Sequence, residues 1–205
     1  MIRVGLIGCG FMGGMHAACY AALAELGVKV TAIADARPEF LAQMKEQTDA
    51  QTYESGMALI EQADVDVVDI CLPTYLHTAH ACAAMEKGRD VFCEKPVCLT
   101  EEDMQALLET KKRTGRKVMV GQVIRLWDEY AWLKKTVDAG TYGRVLSGVF
   151  QRVSSRPGWA ATGCTRRRSR AAWPWICTCT TWTLCAICWA SQTAFRRAAI
   201  VTATD

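Results

Sequence analysis

A Glu-Lys pair ends one of the apolar runs of the chain, in the segment VFCEKPVC. If that run is a buried strand, Lys95 carries its ammonium at the rim of a cleft, where a charge is costly unless it has a partner or a chemical role. Because nearby positive charge and desolvation lower the pKa of a lysine, Lys95 could bind a substrate hydroxyl and assist its deprotonation. The alternative is an ordinary surface pair between Glu94 and Lys95.

Three glycines near the start of the chain have the spacing G-x-G-x-x-G. They are Gly8, Gly10 and Gly13 of the segment GCGFMG, with Phe11 and Met12 before the third. The first permits a tight turn, the second lets the backbone approach a pyrophosphate, and the third lets a helix pack closely on a strand. Phosphate oxygens would then meet free N–H groups at the positive helix end. A glycine-rich turn without a ligand is the alternative.

A carboxylate and an arginine follow the next apolar run, KVTAIADA. Asp35 lies near the separation expected for a carboxylate that binds an adenosine ribose, roughly 20 residues beyond the glycines. The glycines and Asp35 together predict dinucleotide binding. Arg37 could face a 2′-phosphate instead, so NAD and NADP both stay open, and its alternative is a solvated surface arginine.

The segment CLPTYLHTAH follows a further apolar run. Pro73 and Thr74 would lie at the carboxyl edge of that strand, beside the cofactor cleft. His77 and His80 are three residues apart on one helix face, but a metal pair lacks a third ligand, so a partly buried structural histidine is favoured for each. We therefore predict no metal site.

Strands and helices must alternate to bring these residues together. Apolar runs predict strands in RVGLIGCG, KVTAIADA, DVDVVDICLPT, DVFCEKP and KVMVGQVI, and helical spacing predicts helices in MHAACYAALAEL, PEFLAQMKEQ, HTAHACAAMEKG and TEEDMQALLETKKRTG. Pro38 begins the second helix and Thr100 caps the fourth. The order predicts an α/β fold, a Rossmann doubly wound parallel sheet with ligands at the carboxyl ends of its strands.

Composition narrows the class of protein. With 24 Lys+Arg against 21 Asp+Glu, the net charge of +3 is too small to indicate nucleic acid or a membrane surface as partner. The segment MIRVGLIG leads straight into a strand with no secretion signal, so a cytoplasmic location is expected. Six cysteines are scattered singly through apolar runs, which predicts small buried hydrophobes rather than disulfides: Cys9, Cys19, Cys71, Cys82, Cys93 and Cys98.

The motifs GLIGCGFMGGMH, IADARPE, the run from CLPTYLHTAH to EKPVCLTEEDMQALLE, and GQVIRLWDEYAWLKKTVDAGTYGRV occur in one order. Over residues 1 to about 157 the chain resembles the glucose-fructose oxidoreductase and inositol dehydrogenase (Gfo/Idh/MocA) family. The resemblance implies an NAD(P)-dependent oxidoreductase acting on a sugar, polyol or related hydroxyl compound, with Lys95 at the catalytic position. It also implies that a group of residues lies near the cofactor: Gly8, Gly10, Gly13, Asp35, Thr74, His77 and Glu94. Gln122 and Arg125 would lie where the chain leaves the nucleotide domain, and we include Gln122 among the cofactor residues.

The composition changes abruptly after residue 150, where the only carboxylate side chain is that of Asp205. The segment WPWICTCTTWTLCAICWA could be read as a membrane span, but it contains Pro174 and four threonines. It could also be read as a zinc site, but the spacing of its four thiols is unusual: Cys177, Cys179, Cys185 and Cys188.

Read one base earlier, the codons that the tail requires can encode GGMALDLHVHDVDFVRYLLGEPDSV. Tryptophan has a single codon, so Trp175 with Ile176 must yield aspartate and Trp189 with Ala190 must yield glycine. The shifted frame resembles the catalytic Asp-x-x-x-His segment of the family. We therefore infer a frameshift between about Arg156 and Arg170.

These features predict a dinucleotide-binding domain over residues 1–121, the start of a substrate domain over 122–157, and an aberrant tail over 158–205. The second, α+β domain would be truncated. We expect an oxidoreductase that transfers a hydride between NAD(P) and a secondary hydroxyl, impaired in the chain as written. The alternative is a non-catalytic NAD(P)-binding regulator or inert fragment. A homo-oligomer is expected only for the intact frame.

Overall fold

This computed structural model describes residues 1–146, and residues 1–121 form one parallel sheet with helices along it. Six strands pair in the order β3-β2-β1-β4-β5-β6, and every pairing is parallel. The strands are β1 (Ile2–Ile7), β2 (Val28–Ala34), β3 (Gln51–Tyr53), β4 (Val67–Ile70), β5 (Asp90–Cys93) and β6 (Val118–Val120). This is the doubly wound Rossmann order, so the predicted fold class is confirmed.

Helices connect the successive strands. They are α1 (Phe11–Ala22), α2 (Pro38–Thr48), α3 (Gly56–Gln62), α4 (His77–Glu86) and α5 (Glu101–Thr114), and a further helix, α6 (Asp128–Asp138), follows β6. The sequence sets their ends: Pro38 opens α2, and the Thr100 hydroxyl accepts a bond of 3.1 Å from the Asp103 N–H at the start of α5. Helix α5 has acidic residues in its first turn, basic residues in its last, and Gly115 in a left-handed conformation at its end.

The central strand β1 is buried on both faces of the sheet. Val4 and Leu6 belong to one apolar cluster and Ile7 to the other, as expected when successive side chains point to opposite faces. Gly5 has no room for a side chain, because a Cβ there would lie 2.7 Å from Leu59 Cδ2. Burial of each large aliphatic side chain contributes roughly 1.5–3 kcal/mol, so these two clusters stabilise the sheet that carries the strand ends.

Several elements differ from the sequence-based expectation. Strand β3 and helix α3 were not predicted, so the predicted third strand is β4. Both are short, and a strand of three residues gives no periodic signal. Helix α1 begins at Phe11 rather than near Met15, because Gly13 and Gly14 are helical despite their low helix propensity.

The burial of these six cysteines agrees only in part with the prediction. All six are free within the described residues, and Cys9 and Cys93 are buried. Cys19 is exposed, contrary to the prediction, because it lies on the outward side of α1. Among the described residues no helix is both long and apolar enough to span a membrane.

The chain divides into two compact units, Met1–Gly121 and Gln122–Asp205. The second unit opens with a 3-10 helix, Val123–Leu126, followed by α6. Several interpretations of the sequence concern residues outside the described range and stay predictions. They are the substrate-domain boundary at 157, the frameshifted tail, the membrane span and the zinc cysteines.

Candidate cofactor and catalytic site

The loop between β1 and α1 requires its first and third glycines. Gly8 has a φ of +97°, and a Cβ there would lie 2.5 Å from the carbonyl oxygen of Cys71. A Cβ on Gly13 would lie 1.9 Å from the carbonyl oxygen of Gly8, so only glycine lets α1 approach β1 this closely. Gly10, the N-cap of α1, has only the Arg37 guanidinium within 4 Å of its notional Cβ.

The N-terminus of α1 is free to accept an anion. No side chain caps it and no acidic residue lies in its first turn. The first backbone bond runs from Gly14 N–H to Gly10 C=O, so the N–H groups of Phe11, Met12 and Gly13 precede the intrahelical ladder. Open amides together with the positive end of the helix dipole favour the binding of an anion.

Asp35 lies directly after β2 and next to this loop. Its carboxylate accepts a bond of 2.8 Å from the Cys9 N–H and one of 2.9 Å from the Arg37 N–H. The Arg37 guanidinium donates to both oxygens, at 3.1 and 3.2 Å. Burial opposes ionisation of Asp35, but these bonds outweigh it and lower its pKa, so the carboxylate is negatively charged at neutral pH.

Arg37 is held from a second side. Its guanidinium carbon lies 3.8 Å from the centroid of the Phe40 ring, within cation–π distance. A cavity of about 230 Å³ lies between the glycine loop and α2, and Gly10, Phe11, Phe40 and Gln43 contribute to its wall. A larger depression of about 500 Å³ lies along α6, but it contains none of the predicted site residues.

The segment after β4 lies against the glycine loop. The Leu72 N atom would be 3.4 Å from a Cβ on Gly8, and Pro73 and Thr74 follow it at the carboxyl end of the strand. His77 is 1 % exposed, and its Nδ1 and Nε2 lie 2.9 and 2.7 Å from the carbonyl oxygens of Pro96 and Leu72. Burial lowers the pKa of His77. His77 therefore joins the loop after β4 to the loop after β5.

His80 makes a similar structural contact one turn further along α4. Its Nδ1 lies 2.8 Å from the carbonyl oxygen of Leu76. Neither histidine is grouped with other metal-binding side chains within residues 1–146. The interpretation of His77 and His80 as structural histidines is in accord with these contacts.

Glu94 and Lys95 follow β5 at the same edge of the sheet. The Glu94 carboxylate is buried and accepts a bond of 3.1 Å from the Lys95 backbone N–H. Lys95 is half-buried, and within residues 1–146 its ammonium forms no hydrogen bond or ion pair. The two residues are therefore not a simple surface pair: the carboxylate is turned inward, and the ammonium is available to a ligand.

A buried polar cluster below Glu94 was missed by the sequence analysis. His16 on α1 places Nδ1 at 2.9 Å from Asp69 Oδ2 and Nε2 at 3.4 Å from Glu94 Oε1. Tyr20 donates a bond of 2.9 Å to the same Asp69 oxygen, and the Cys71 thiol lies 3.2 Å from His16 Nδ1. An aspartate in the apolar run VVDI was the signal that could have revealed the cluster, because a buried carboxylate needs partners.

The charges of this cluster support one another. Burial disfavours the charged form of His16, but its contacts with Asp69, Cys71 and Glu94 outweigh burial and raise its pKa to about 12. Burial raises the pKa of the Cys71 thiol to about 12. Burial opposes ionisation of Glu94, yet His16 and the Lys95 N–H lower its pKa. His16 is therefore a cation between two carboxylates.

The ligand atoms of His16, Asp69 and Cys71 all lie within 4.8 Å of one another, a spacing that a metal ion would also require. Their mutual hydrogen bonds account for the grouping without an ion, and the absence of a metal site stays a prediction. Gln122 is the first residue of the second compact unit.

A parallel sheet in this order, a glycine loop that opens on a bare helix N-terminus, and a carboxylate at the end of β2 define a dinucleotide-binding Rossmann domain. Residues 2–122 match the family model described as an oxidoreductase family with an NAD-binding Rossmann fold. The chain belongs to this Gfo/Idh/MocA family.

Dehydrogenases of sugars and cyclitols are among the curated relatives of the chain. The chain is 35% identical over 153 residues to levoglucosan dehydrogenase of Pseudarthrobacter phenanthrenivorans, covering 71% of this chain and 39% of that protein. It is 33% identical over 146 residues to inositol 2-dehydrogenase 3 of Saccharopolyspora erythraea, covering 71% of this chain and 43% of that protein. The chain therefore matches only about two fifths of the length of these relatives.

Solved structures of dehydrogenases are also similar to this chain. The WlbA dehydrogenase of Bordetella pertussis, in complex with NADH and UDP-GlcNAcA, matches at a TM-score of 0.67 and 27% identity over 70% of this chain and 41% of that one. The scyllo-inositol dehydrogenase of Lactobacillus casei, with NAD(H) and scyllo-inositol bound, matches at a TM-score of 0.66 and 27% identity. This match covers 70% of this chain and 43% of that one.

Proposed function

We propose that this protein is built to transfer a hydride between NAD(P) and a secondary hydroxyl of a sugar, polyol or cyclitol. The observation that carries the proposal is the half-buried Lys95, whose ammonium has no partner in residues 1–146 and stands at the strand edge that also holds the glycine loop. Relatives that act on levoglucosan and inositol support the substrate class.

The described residues fit the dinucleotide. The pyrophosphate would bind the open amides of Phe11, Met12 and Gly13, and the adenosine ribose would bind Asp35. Pro73, Thr74 and Glu94 would line the rest of the cleft, with Gln122 at the exit of the nucleotide domain. When bound, the cofactor supplies the hydride acceptor, and the protein supplies orientation and charge.

Lys95 has the chemical role that the oxidation of a hydroxyl requires. Its Nζ donates a hydrogen bond to the substrate oxygen and stabilises the negative charge that develops there as the hydroxyl proton leaves. In the shifted frame the encoded Asp and His would complete the proton transfer.

We infer a preference for NAD over NADP. Asp35 keeps its negative charge at neutral pH and stands where the adenosine ribose would bind, so it attracts ribose hydroxyls and repels a 2′-phosphate. Arg37 is already engaged by both oxygens of Asp35 and by the Phe40 ring.

For the chain as written we propose retained cofactor binding with little or no turnover. The composition after residue 150 supports this, because the predicted catalytic Asp and His are encoded only in the shifted frame. A non-catalytic NAD(P)-binding regulator is the second candidate, favoured by the same change of composition after residue 150.

The test compares the chain as written with a version whose frame is restored by one base between codons 156 and 170. Both are titrated with NADH by fluorescence and assayed with myo-inositol, scyllo-inositol and levoglucosan. We expect both to bind NADH and only the restored protein to reduce NAD. Lys95→Ala should abolish that turnover, whereas the exposed control Lys111→Ala should leave it unchanged. A restored protein that binds NADH but never turns over would favour the regulator.

A further inference from the structure

His16 lies between two strands and faces a carboxylate on each. It is one turn beyond Gly13 on α1, the helix whose N-terminus forms the phosphate site. Its Nδ1 lies 2.9 Å from Asp69 on β4, and its Nε2 lies 3.4 Å from Glu94 at the end of β5. The first distance is a hydrogen bond, and the second is an ion-pair distance.

Charge explains why the ring is there. Asp69 is 0% exposed and Glu94 is 9% exposed, and two buried carboxylates without a cation would be strongly unfavourable. The groups that face the cluster come from three elements: Tyr20 from α1, Asp69 with Cys71 from β4 and its end, and Glu94 from the end of β5. The Phe92 ring packs edge-on against His16 at 5.5 Å and shields it. His16 is therefore the cation shared by both carboxylates.

Glu94 has no freedom to turn away from this contact. Its Oε2 accepts the Lys95 backbone N–H at 3.1 Å. On its other side, a Cβ on Gly121 would lie 2.8 Å from Glu94 Oε1, so the carboxylate lies against this residue in space that only a glycine leaves open. The Glu94 carboxylate is thus fixed between the His16 ring, the Gly121 backbone and the residue that carries the free ammonium.

We propose that His16 is a positioning residue that ties the phosphate-binding helix α1 to the Glu94–Lys95 turn. One ring anchors Asp69 and Glu94, and Glu94 in turn fixes the backbone of Lys95. The backbone from which the Lys95 side chain extends is then held from inside the domain core. The inference rests on the proposed function only for the catalytic role of Lys95.

The experiment measures Lys95 directly and needs no turnover. The lysines of the full chain are ¹³C-dimethylated, and the Lys95 signal is assigned by its loss in Lys95→Arg. In His16→Phe we expect that signal to shift by more than its linewidth, because Glu94 loses its cation and releases the Lys95 N–H. NADH affinity, which depends on the first turn of α1, should change by less than about threefold.

Two further variants separate positioning from general damage. His80→Gln removes a buried histidine that touches neither carboxylate, so the Lys95 signal should stay in place. His16→Gln retains an amide donor, so it should restore part of the wild-type position. A folded His16→Phe protein with an unmoved Lys95 signal would overturn the proposal.

If His16→Phe fails to fold, the wild-type protein still decides the question. In a ¹⁵N-histidine spectrum at about pH 8, where an exposed histidine is neutral, His16 should have both ring nitrogens protonated. A neutral His16 ring would contradict the shared cation. If the Lys95 signal shifts in His16→Phe but the frame-restored protein shows no turnover, the proposed function fails and the positioning role stands.

Discussion

Two carboxylate sites at the same sheet edge are neutralised in different ways. At the end of β2, Asp35 is paired with Arg37, whose side chain is 52% exposed and reaches in from the following loop. At the ends of β4 and β5, Asp69 and Glu94 are paired with His16, which is 15% exposed and belongs to a helix packed on the sheet. The first cation is half-exposed and belongs to a loop, whereas the second is mostly buried and belongs to a helix.

The difference teaches how one sheet edge serves two purposes. In the proposed function a ribose binds at Asp35, whose cation, Arg37, is half-exposed and lies in the loop after β2. If Lys95 binds the reacting hydroxyl as proposed, a buried support beneath its backbone suits a cation that must keep its position.

The largest expected effect breaks the buried pair. Asp69→Ala leaves the His16 cation without its hydrogen-bonded partner, and loss of one member of a buried pair costs about 3–5 kcal/mol. We expect the free energy of unfolding, measured by urea titration, to fall by about that amount. The control is Asp64→Asn, whose carboxylate is mostly exposed and which should change stability little. An equally small effect of Asp69→Ala would mean that His16 does not depend on Asp69.

The next effect concerns ligand binding at the solvated pair. Asp35→Ala removes the proposed ribose acceptor, and hydrogen bonds to a charged group contribute about 1.5–3 kcal/mol, so NADH affinity should fall roughly 10- to 100-fold. NADPH should lose less, because the repulsion of its 2′-phosphate is also removed. Fluorescence titration measures both. The neighbouring exposed Glu39→Gln is the matched control, and equal losses for the two cofactors would contradict the assignment of Asp35.

A pH dependence separates the two cations. The pKa of His16 is raised from 6.5 to about 12 in the folded protein, so its stabilisation is complete below 6.5 and is lost progressively as the pH rises towards 12. We expect the free energy of unfolding to decline between about pH 7 and about pH 8.5, below the thiol titrations. Arginine does not titrate in that range. In His16→Gln the decline should disappear, and a decline that persists would assign it to another group.

The smallest effect is expected at Arg37. Its exposed ion pair with Asp35 and its contact with Phe40 together contribute on the order of 1 kcal/mol, after allowance for solvent screening. Arg37→Ala should therefore lower the thermal midpoint by only a few degrees. A drop as large as that of Asp69→Ala would show that the two sites do not differ in rigidity.

Much of the fold could be predicted from local patterns. The glycine spacing, the apolar strands and the caps at Pro38 and Thr100 each encode structure within a few residues of themselves. Strand β3 and helix α3 could not, because they are too short to show a period and are held by neighbours distant in sequence.

The site was predictable to the same extent. Gly8, Gly13 and Asp35 lie together as the motif implies. The partnership of His16, Asp69 and Glu94 spans 78 residues of chain between its first and last members, and only the folded domain brings the three side chains together. The inward direction of Glu94 was likewise not visible in the Glu-Lys pair.

The position of the six strands along the chain also has a consequence for protein synthesis. All six strands described in residues 1–146 end by Val120, so a ribosome has already translated the complete sheet when it begins the second unit. A change of reading frame near codon 160 would remove none of its strands. The first unit could therefore collapse around β1 while the remaining codons are still being read, whichever tail they encode.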